Sequence, residues 1–377
     1  MLTFIQHYLP EIFIIVFGLI IFLQFLYYFA LFARFTFHKS KKIKDYHQDP
    51  VSIVITAKDE AHHLLKSLPV LLNQQYNNYE VVIVNDNSAD ETKQIILEYK
   101  TKYPHLKLVD LNSSVTTIKG KKFPLSLGIK SASHEIILLT DADCVPSSPY
   151  WLQNMAKHFI DRTEIVLGYG SYEKKSGFLN LLIHFDALHT AIQYFSYSLA
   201  KMSYMGAGRN LAYTKTLFLK QKGFASHNHI KYGDDDIFIG RAATKKNCDI
   251  EYFKETYTIS RPKSSFKRWF EEKRGHAVSQ RFYHKKQRFL LACYNLLITL
   301  FYLFFLLSIV FNWHNSMLLI VVMSMFFFKT AVQYAIFGLS AAKLSEKGVI
   351  PYILLFDIIF AVLNPFIYLA SVFSKNK

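Results

Sequence analysis

From Ile12 to Ala33 the chain carries no charged residue. At about 1.5 Å per residue, a helix over that run crosses a hydrocarbon core of about 30 Å. Such a run must be removed or be surrounded by lipid. Removal as a signal peptide is not expected, because no basic stretch precedes the run and it is too long. Met1–Glu11 has no Lys or Arg, whereas Arg34, Lys39, Lys41, Lys42 and Lys44 follow. The positive-inside rule then puts the N-terminus outside and the next segment in the cytoplasm.

Three more apolar stretches lie at roughly 290–311, 317–337 and 350–373. Asn312–Ser316 has no basic residue, as suits an outside turn, while Lys343 and Lys347 mark an inside turn. Four spans leave both termini outside and 35–288 in the cytoplasm. Lys329 and Asp357 sit inside the last two spans, at about 12 and about 10 Å from their inner ends. Similar depth on adjacent antiparallel helices predicts an ion pair, with a snorkelling Lys329 and a solvent-facing Asp357 as the alternative. Composition agrees: 51% hydrophobic residues and a net charge of +16. No nucleic-acid-binding motif explains that charge, so no nucleic-acid partner is expected. Cys144, Cys248 and Cys293 form no disulfide framework and no zinc spacing.

The middle segment alternates short β-branched runs with helical stretches. Strands are predicted at Val51–Ala57, Val81–Asn85, Leu106–Leu111, Glu135–Thr140 and Glu164–Gly168. Leu64, Leu65, Leu68, Leu71 and Leu72 mark one helix, and Ser88 with Glu91 reads as the capping box of the next. This pattern predicts a doubly wound, Rossmann-like α/β sheet with its ligand beyond the C-terminal strand ends. Acidic groups stand there: Asp59 and Glu60, then Asp86, then Asp141 and Asp143. No glycine-rich phosphate loop is present, so a phosphorylated ligand would need a metal, and Asp-x-Asp at a strand end can hold a hard divalent cation.

Val51–Glu60, Val82–Ser88, Leu139–Cys144, Tyr204–Tyr213 and Gly233–Asp236, in this order, resemble the membrane-bound family 2 glycosyltransferases of GT-A fold, in the branch common in Bacteroidetes. The resemblance implies an inverting, metal-dependent transferase of the bacterial inner membrane. Its domains would be a transmembrane helix at 12–34, a basic linker at 35–50, a GT-A domain at 51–260, an interfacial segment at 261–288 and three spans at 289–373. It implies that Asp59 or Glu60 and Asp86 hold the nucleoside of a nucleotide-sugar, with Lys121 or Lys122 near the diphosphate. Asp141 and Asp143 would carry Mg2+ or Mn2+. One of Asp234, Asp235 and Asp236 would be the base, with Asp235 favoured by alignment; a helix N-terminal acidic cluster is the plainer alternative. Arg209 and Asn210 would face the acceptor.

One block departs from the family pattern. Related enzymes carry Gln-x-x-Arg-Trp or Gln-Lys-x-Arg-His; here Lys273 and His276 align, but Glu272 replaces Gln and Gly275 replaces Arg. Arg274 would substitute for the missing Arg only with a small shift in the chain, and without that shift diphosphate gripping or acceptor placement is weakened; His276 in place of Trp argues against long-chain synthesis. Phe178–Leu199 and 261–288 read as surface helices on anionic lipid. Of the remaining histidines, His62, His63, His227 and His229 read as surface groups. The expectation is transfer of one sugar to a lipid-linked or glycan acceptor at the cytoplasmic face. The alternatives are a processive polysaccharide synthase and a non-catalytic membrane assembly partner.

Overall fold

The computed structural model describes residues 2–40, 43, 48–111, 120–230 and 232–373. Lys41, Lys42 and Lys44 of the expected basic linker lie outside the described residues. Strands β1 (Val51–Ala57), β2 (Tyr79–Asp86), β3 (Leu106–Leu111), β4 (Ile136–Leu139), β6 (Ile165–Leu167), β8 (Leu211–Thr214) and β9 (Cys248–Ile250) form one sheet in the order β3-β2-β1-β4-β8-β6-β9. β5 (Val145–Pro146), β7 (Gly170–Tyr172) and β10 (Thr258–Ser260) form a second, small sheet.

The first four strands of the main sheet are parallel, with Val51 opposite both Tyr79 and Ile136. β8 runs antiparallel to β4 and β6, so the sheet is mixed rather than purely doubly wound. The near-continuous apolar run of β1 follows from burial on both faces. Ile53 and Ile55 pack with Leu64, Leu68 and Ile96, while Val54 joins a cluster that continues to Phe17 and Phe35 of the first membrane helix.

Local expectations hold in part. Leu65 is exposed and leaves the apolar stripe. Ser88 and Glu91 form no capping box: the helix starts at Thr92, whose N–H donates to Asp90 at 3.0 Å, while the Ser88 hydroxyl accepts from the Asp59 N–H. Ser88 serves the neighbouring strand end instead, a tertiary contact no spacing rule contains. Phe178–Leu199 is not a surface helix; most of its side chains are buried, and it packs beneath the spans with Phe185 against Phe337 and Phe356. His227 is also buried, with burial and then Lys122 pushing its imidazole down to about 4.

Among the described residues four helices are long and apolar enough to cross a membrane: span 1 (Leu9–Thr36), span 2 (Lys285–Phe311), span 3 (Ser316–Lys343) and span 4 (Lys347–Phe373). The protein is an integral membrane protein. Span 1 contains a π-helical turn, Tyr27–Phe32. Its C-terminal carbonyls are capped by Lys343, whose Nζ donates to Phe35, Thr36 and His38 at 2.7–2.9 Å. A cation on the last turn complements the helix dipole, and here it comes from a different helix.

Lys329 and Asp357 form the expected ion pair at 3.3 Å, both buried. Gln333 Oε1 lies 2.7 Å from the ammonium and the Tyr302 hydroxyl donates to the carboxylate at 2.7 Å, so neither charge is left with one partner. Removing one member strands the other, which costs about 3–5 kcal/mol. Lys329→Met or Asp357→Leu alone should therefore lower thermal stability in detergent strongly. The double substitution should recover most of the loss; equal stability of singles and parent would contradict the pairing.

Candidate active site

The strand ends β1 and β2 are braced in left-handed turns, with Asp59 at φ 56° and Asn87 at φ 51°, a region Asp and Asn tolerate better than most residues. Asp59 Oδ1 accepts from the Ala89 N–H at 2.7 Å, Glu60 bonds His63, and Asp86 lies 3.9 Å from Lys58. Arg261 reaches His62 at 3.0 Å and His63 at 3.4 Å, which ties the small sheet to the loop after β1. These three acidic residues share one sheet edge but do not line the main cavity.

That cavity, about 1400 Å³, opens between the strand ends and the spans. Asp141, just past β4, and Asp234 both line it, and Lys121 stands between them, bonded to Asp141 and 3.7 Å from Asp234. Burial alone would lower the Lys121 ammonium, but the two carboxylates more than offset that and raise it. Burial likewise works to raise Asp141, and Lys121 holds it below the usual carboxylate range. Asp143 has no such partner: burial and then Asp141 raise it. The donor atoms of Asp141, Asp143 and Cys144 lie within 4.8 Å of one another. Two carboxylates this close suit a hard divalent cation; the thiol is a soft ligand and bonds Asp143 instead.

Gly233, at φ 93°, turns the chain so that the next three carboxylates diverge. Asp235 takes the Gly208 N–H at 2.8 Å and the Asp236 N–H at 2.7 Å, and occupies the N-cap of helix Asp236–Ala242. Burial, then Asp234 and Asp236, push Asp235 up to about 8. Asp236 turns away into the core, where Ser279 and, at 2.7 Å, Tyr283 donate to it. The helix cap and the cavity-facing carboxylate are thus the same residue, Asp235.

The structure divides the remaining candidates. Lys122 does not face the cavity; its Nζ donates to the carbonyls of His227, Ile230 and Tyr232 at 2.6–2.9 Å, and burial lowers it to about 8. Asn210 is fully buried, its amide bonded to Tyr169, Thr256 and Trp151, so it offers nothing to an acceptor. Arg209 does line the cavity, stacked 4.1 Å from the Tyr172 ring centre and donating to Gly170, with its Nε unpartnered. Lys273 lines the cavity but is held by Asp186 at 2.7 Å, as is the Trp269 indole at 3.1 Å. Glu272 and His276 also line it, whereas Arg274 does not, and Gly275 packs on the Tyr232 ring where a Cβ would not fit. Arg274 thus stands outside the cavity that Lys273 and His276 line. Helix Phe266–Ser279 is interfacial only in part, since Trp269 points inward.

Sequence reasoning missed Asp186, Tyr172, Ser279 and Tyr283. None stands in a spaced motif; they come to the site from other elements.

A mixed α/β sheet with acidic strand ends, set on membrane helices, defines the GT-A class of fold. The mannosyltransferase PcManGT from Pyrobaculum calidifontis, solved with GDP-Man and Mn2+, superposes with a TM-score of 0.59 at 17% identity, over 94% of this chain and 99% of that one. Residues 52–218 match the family model "Glycosyl transferase family 2", so that this part of the chain is a family 2 glycosyltransferase domain. A poly-beta-1,6-N-acetyl-D-glucosamine synthase of Staphylococcus epidermidis is 31% identical over 131 residues, 34% of this chain and 30% of that protein. The Staphylococcus aureus (strain COL) synthase is 27% identical over 134 residues, 35% and 31% of the two chains. The match spans less than a third of the length of these relatives.

Tyr283→Phe should leave Asp236 short of a buried donor and cost about 1–3 kcal/mol. Chemical unfolding in detergent reads this directly; an unchanged midpoint would remove Tyr283 from the support of the site.

Proposed function

We propose that the protein is an inverting, metal-dependent glycosyltransferase that moves one sugar from a nucleotide-sugar to an acceptor hydroxyl, with its domain on the cytoplasmic side of a bacterial inner membrane and the N-terminus outside. The expected outside C-terminus does not fit, because Ser371 near the end of helix Ile353–Phe373 bonds Arg281 at the entry of span 2. The observation that carries this proposal is Asp235: a buried carboxylate held by the Gly208 N–H in the same cavity as Asp141 and Lys121. The S. epidermidis relative is a poly-beta-1,6-N-acetyl-D-glucosamine synthase, which supports sugar transfer, and the structural neighbour is a mannosyltransferase solved with GDP-Man, which supports a nucleotide-sugar donor.

In this reading Asp59 or Glu60 and Asp86 hold the nucleoside at the ends of β1 and β2, and Lys121 swings from Asp141 to the diphosphate. Asp141 and Asp143 would hold Mg2+ or Mn2+, which offsets charge on the departing diphosphate as a Lewis acid. Asp235 removes the proton of the acceptor hydroxyl as its oxygen bonds to the anomeric carbon. The bond from that carbon to the diphosphate oxygen breaks, and the diphosphate leaves with the electron pair. Arg209 and His276 line the acceptor side.

The poly-N-acetylglucosamine synthases favour a processive alternative. His276, where such synthases place a stacking Trp, weighs against it.

Nucleoside diphosphate release from a donor panel, with a bacterial lipid extract as acceptor source, tests the reading. Asp235→Asn and Asp143→Asn should each slow release by about 10²–10⁴-fold. Release by either variant as fast as the parent's would remove that residue from the chemistry, and a parent that releases nothing from any donor would leave the non-catalytic partner reading. Because Asp235 acts only when ionised, the parent's rate should rise with pH through about 8. That limb should vanish in Asp235→Asn. Chelation should abolish transfer, and Mn2+ or Mg2+ should restore it.

A further inference from the structure

The cavity does not end at the catalytic domain. It continues between spans 2 and 4, with Arg281, Lys285 and Arg288 at the mouth of this extension. Further along span 2, Ala292, Leu296 and Thr299 line it at helical spacing, a single face about 16 Å long from Arg288. Phe360, Ile367 and Tyr368 of span 4 are on the same lining.

The two ends of the cavity differ in charge. The catalytic end carries Asp141, Asp186, Asp234, Asp235 and Glu272. Where the extension begins, among the described residues, none of Arg281, Lys285 and Arg288 forms an ion pair with a carboxylate. Arg281 donates to Ser371 Oγ at 3.2 Å and Arg288 to the Arg281 carbonyl at 3.1 Å, which fixes both guanidinium groups without neutralising them. Three cations without a protein counter-ion, where a helix enters the apolar layer, suit a phosphate. The apolar face next to them suits a hydrocarbon chain.

We infer that this extension binds the acceptor as a glycolipid linked through phosphate. The phosphate sits in the collar of Arg281, Lys285 and Arg288, the chain lies along spans 2 and 4, and the sugar projects toward Asp235. The inference rests on the transferase reading for the identity of the reacting end. A phosphate acting as nucleophile has no proton to give up at neutral pH, so a buried carboxylate at the far end points to a sugar hydroxyl as the reacting atom. The collar lies close to that end, because Tyr283, between Arg281 and Lys285 in the chain, bonds Asp236.

The test uses the full chain in phosphatidylcholine nanodiscs with a hexadecyl phosphate probe carrying a diazirine in its chain. Photolabelling should map to 288–299 and 360–372. It should fall about tenfold or more in the triple variant Arg281→Gln, Lys285→Gln, Arg288→Gln. Ala292→Trp should block labelling with the collar intact, so loss in both variants does not depend on one substitution folding badly. Label spread evenly over the four spans, equal labelling by an uncharged hexadecyl glycoside probe, or equal competition by phosphatidylglycerol would each overturn the proposal; the last would make the groove a bulk-lipid site. Labelling needs no turnover, so it judges the groove even if no donor is cleaved. If donor is cleaved but the parent uses a hexose on an uncharged hexadecyl chain as well as one linked through a phosphodiester, the acceptor assignment fails while the transferase reading stands.

Discussion

A carboxylate in the short turn between spans 3 and 4 fastens the catalytic domain to the membrane. Glu346 is buried, and it takes the Tyr169 hydroxyl at 3.0 Å, the Ser171 hydroxyl at 2.8 Å and the His184 imidazole at 2.8 Å. Its partners come from the end of β6, from β7 and from helix Phe178–Leu199. A buried charge with three partners tolerates little displacement, because any movement leaves it short of a bond. The same strand region supports Arg209, through the Gly170 carbonyl and the Tyr172 ring. The anchor to the spans and the placement of Arg209 in the cavity are thus one arrangement.

With the domain fixed, the cavity acquires two poles. Asp141, just past β4, with Asp234 and Asp235 form one, and Lys121 stands between Asp141 and Asp234. Basic residues at the entry of span 2 form the other. Helix Phe178–Leu199 lies between, and its Asp186 orients helix Phe266–Ser279 through Lys273 and Trp269. Residues that resemble ligand-binding groups in a motif therefore do positioning work here. Asn210 and Lys122 show the same: each belongs to a suggestive block, and each has its polar atoms taken up by backbone.

Much of the fold is legible in the residue order. β1 to β4 and the four spans follow from apolar runs and their flanking charges, and the depth of Lys329 and Asp357 predicts their meeting. The site is legible only to the level of blocks. Asp-x-Asp and Gly-Asp-Asp-Asp announce themselves by position after strands or before a helix. Which aspartate faces the cavity does not follow, since Asp235 and Asp236 differ only in the partners that Gly208, Ser279 and Tyr283 present. Arg274 illustrates the limit: adjacent to the expected position, it projects from the wrong side of a helix.

The sequence by itself determined the membrane spans, the strand-helix alternation and the location of acidic groups at strand ends. These depend on local hydrophobic period and on charge beside apolar runs, which are properties of neighbours in the chain. Only the tertiary structure decided that Phe178–Leu199 is buried, that β8 reverses direction in the sheet and that Lys121 rather than Lys122 enters the cavity. It also decided that the cavity runs on between spans 2 and 4. Those outcomes depend on contacts between segments far apart in the chain, where burial and hydrogen-bond satisfaction, rather than any local pattern, select which side chain points where.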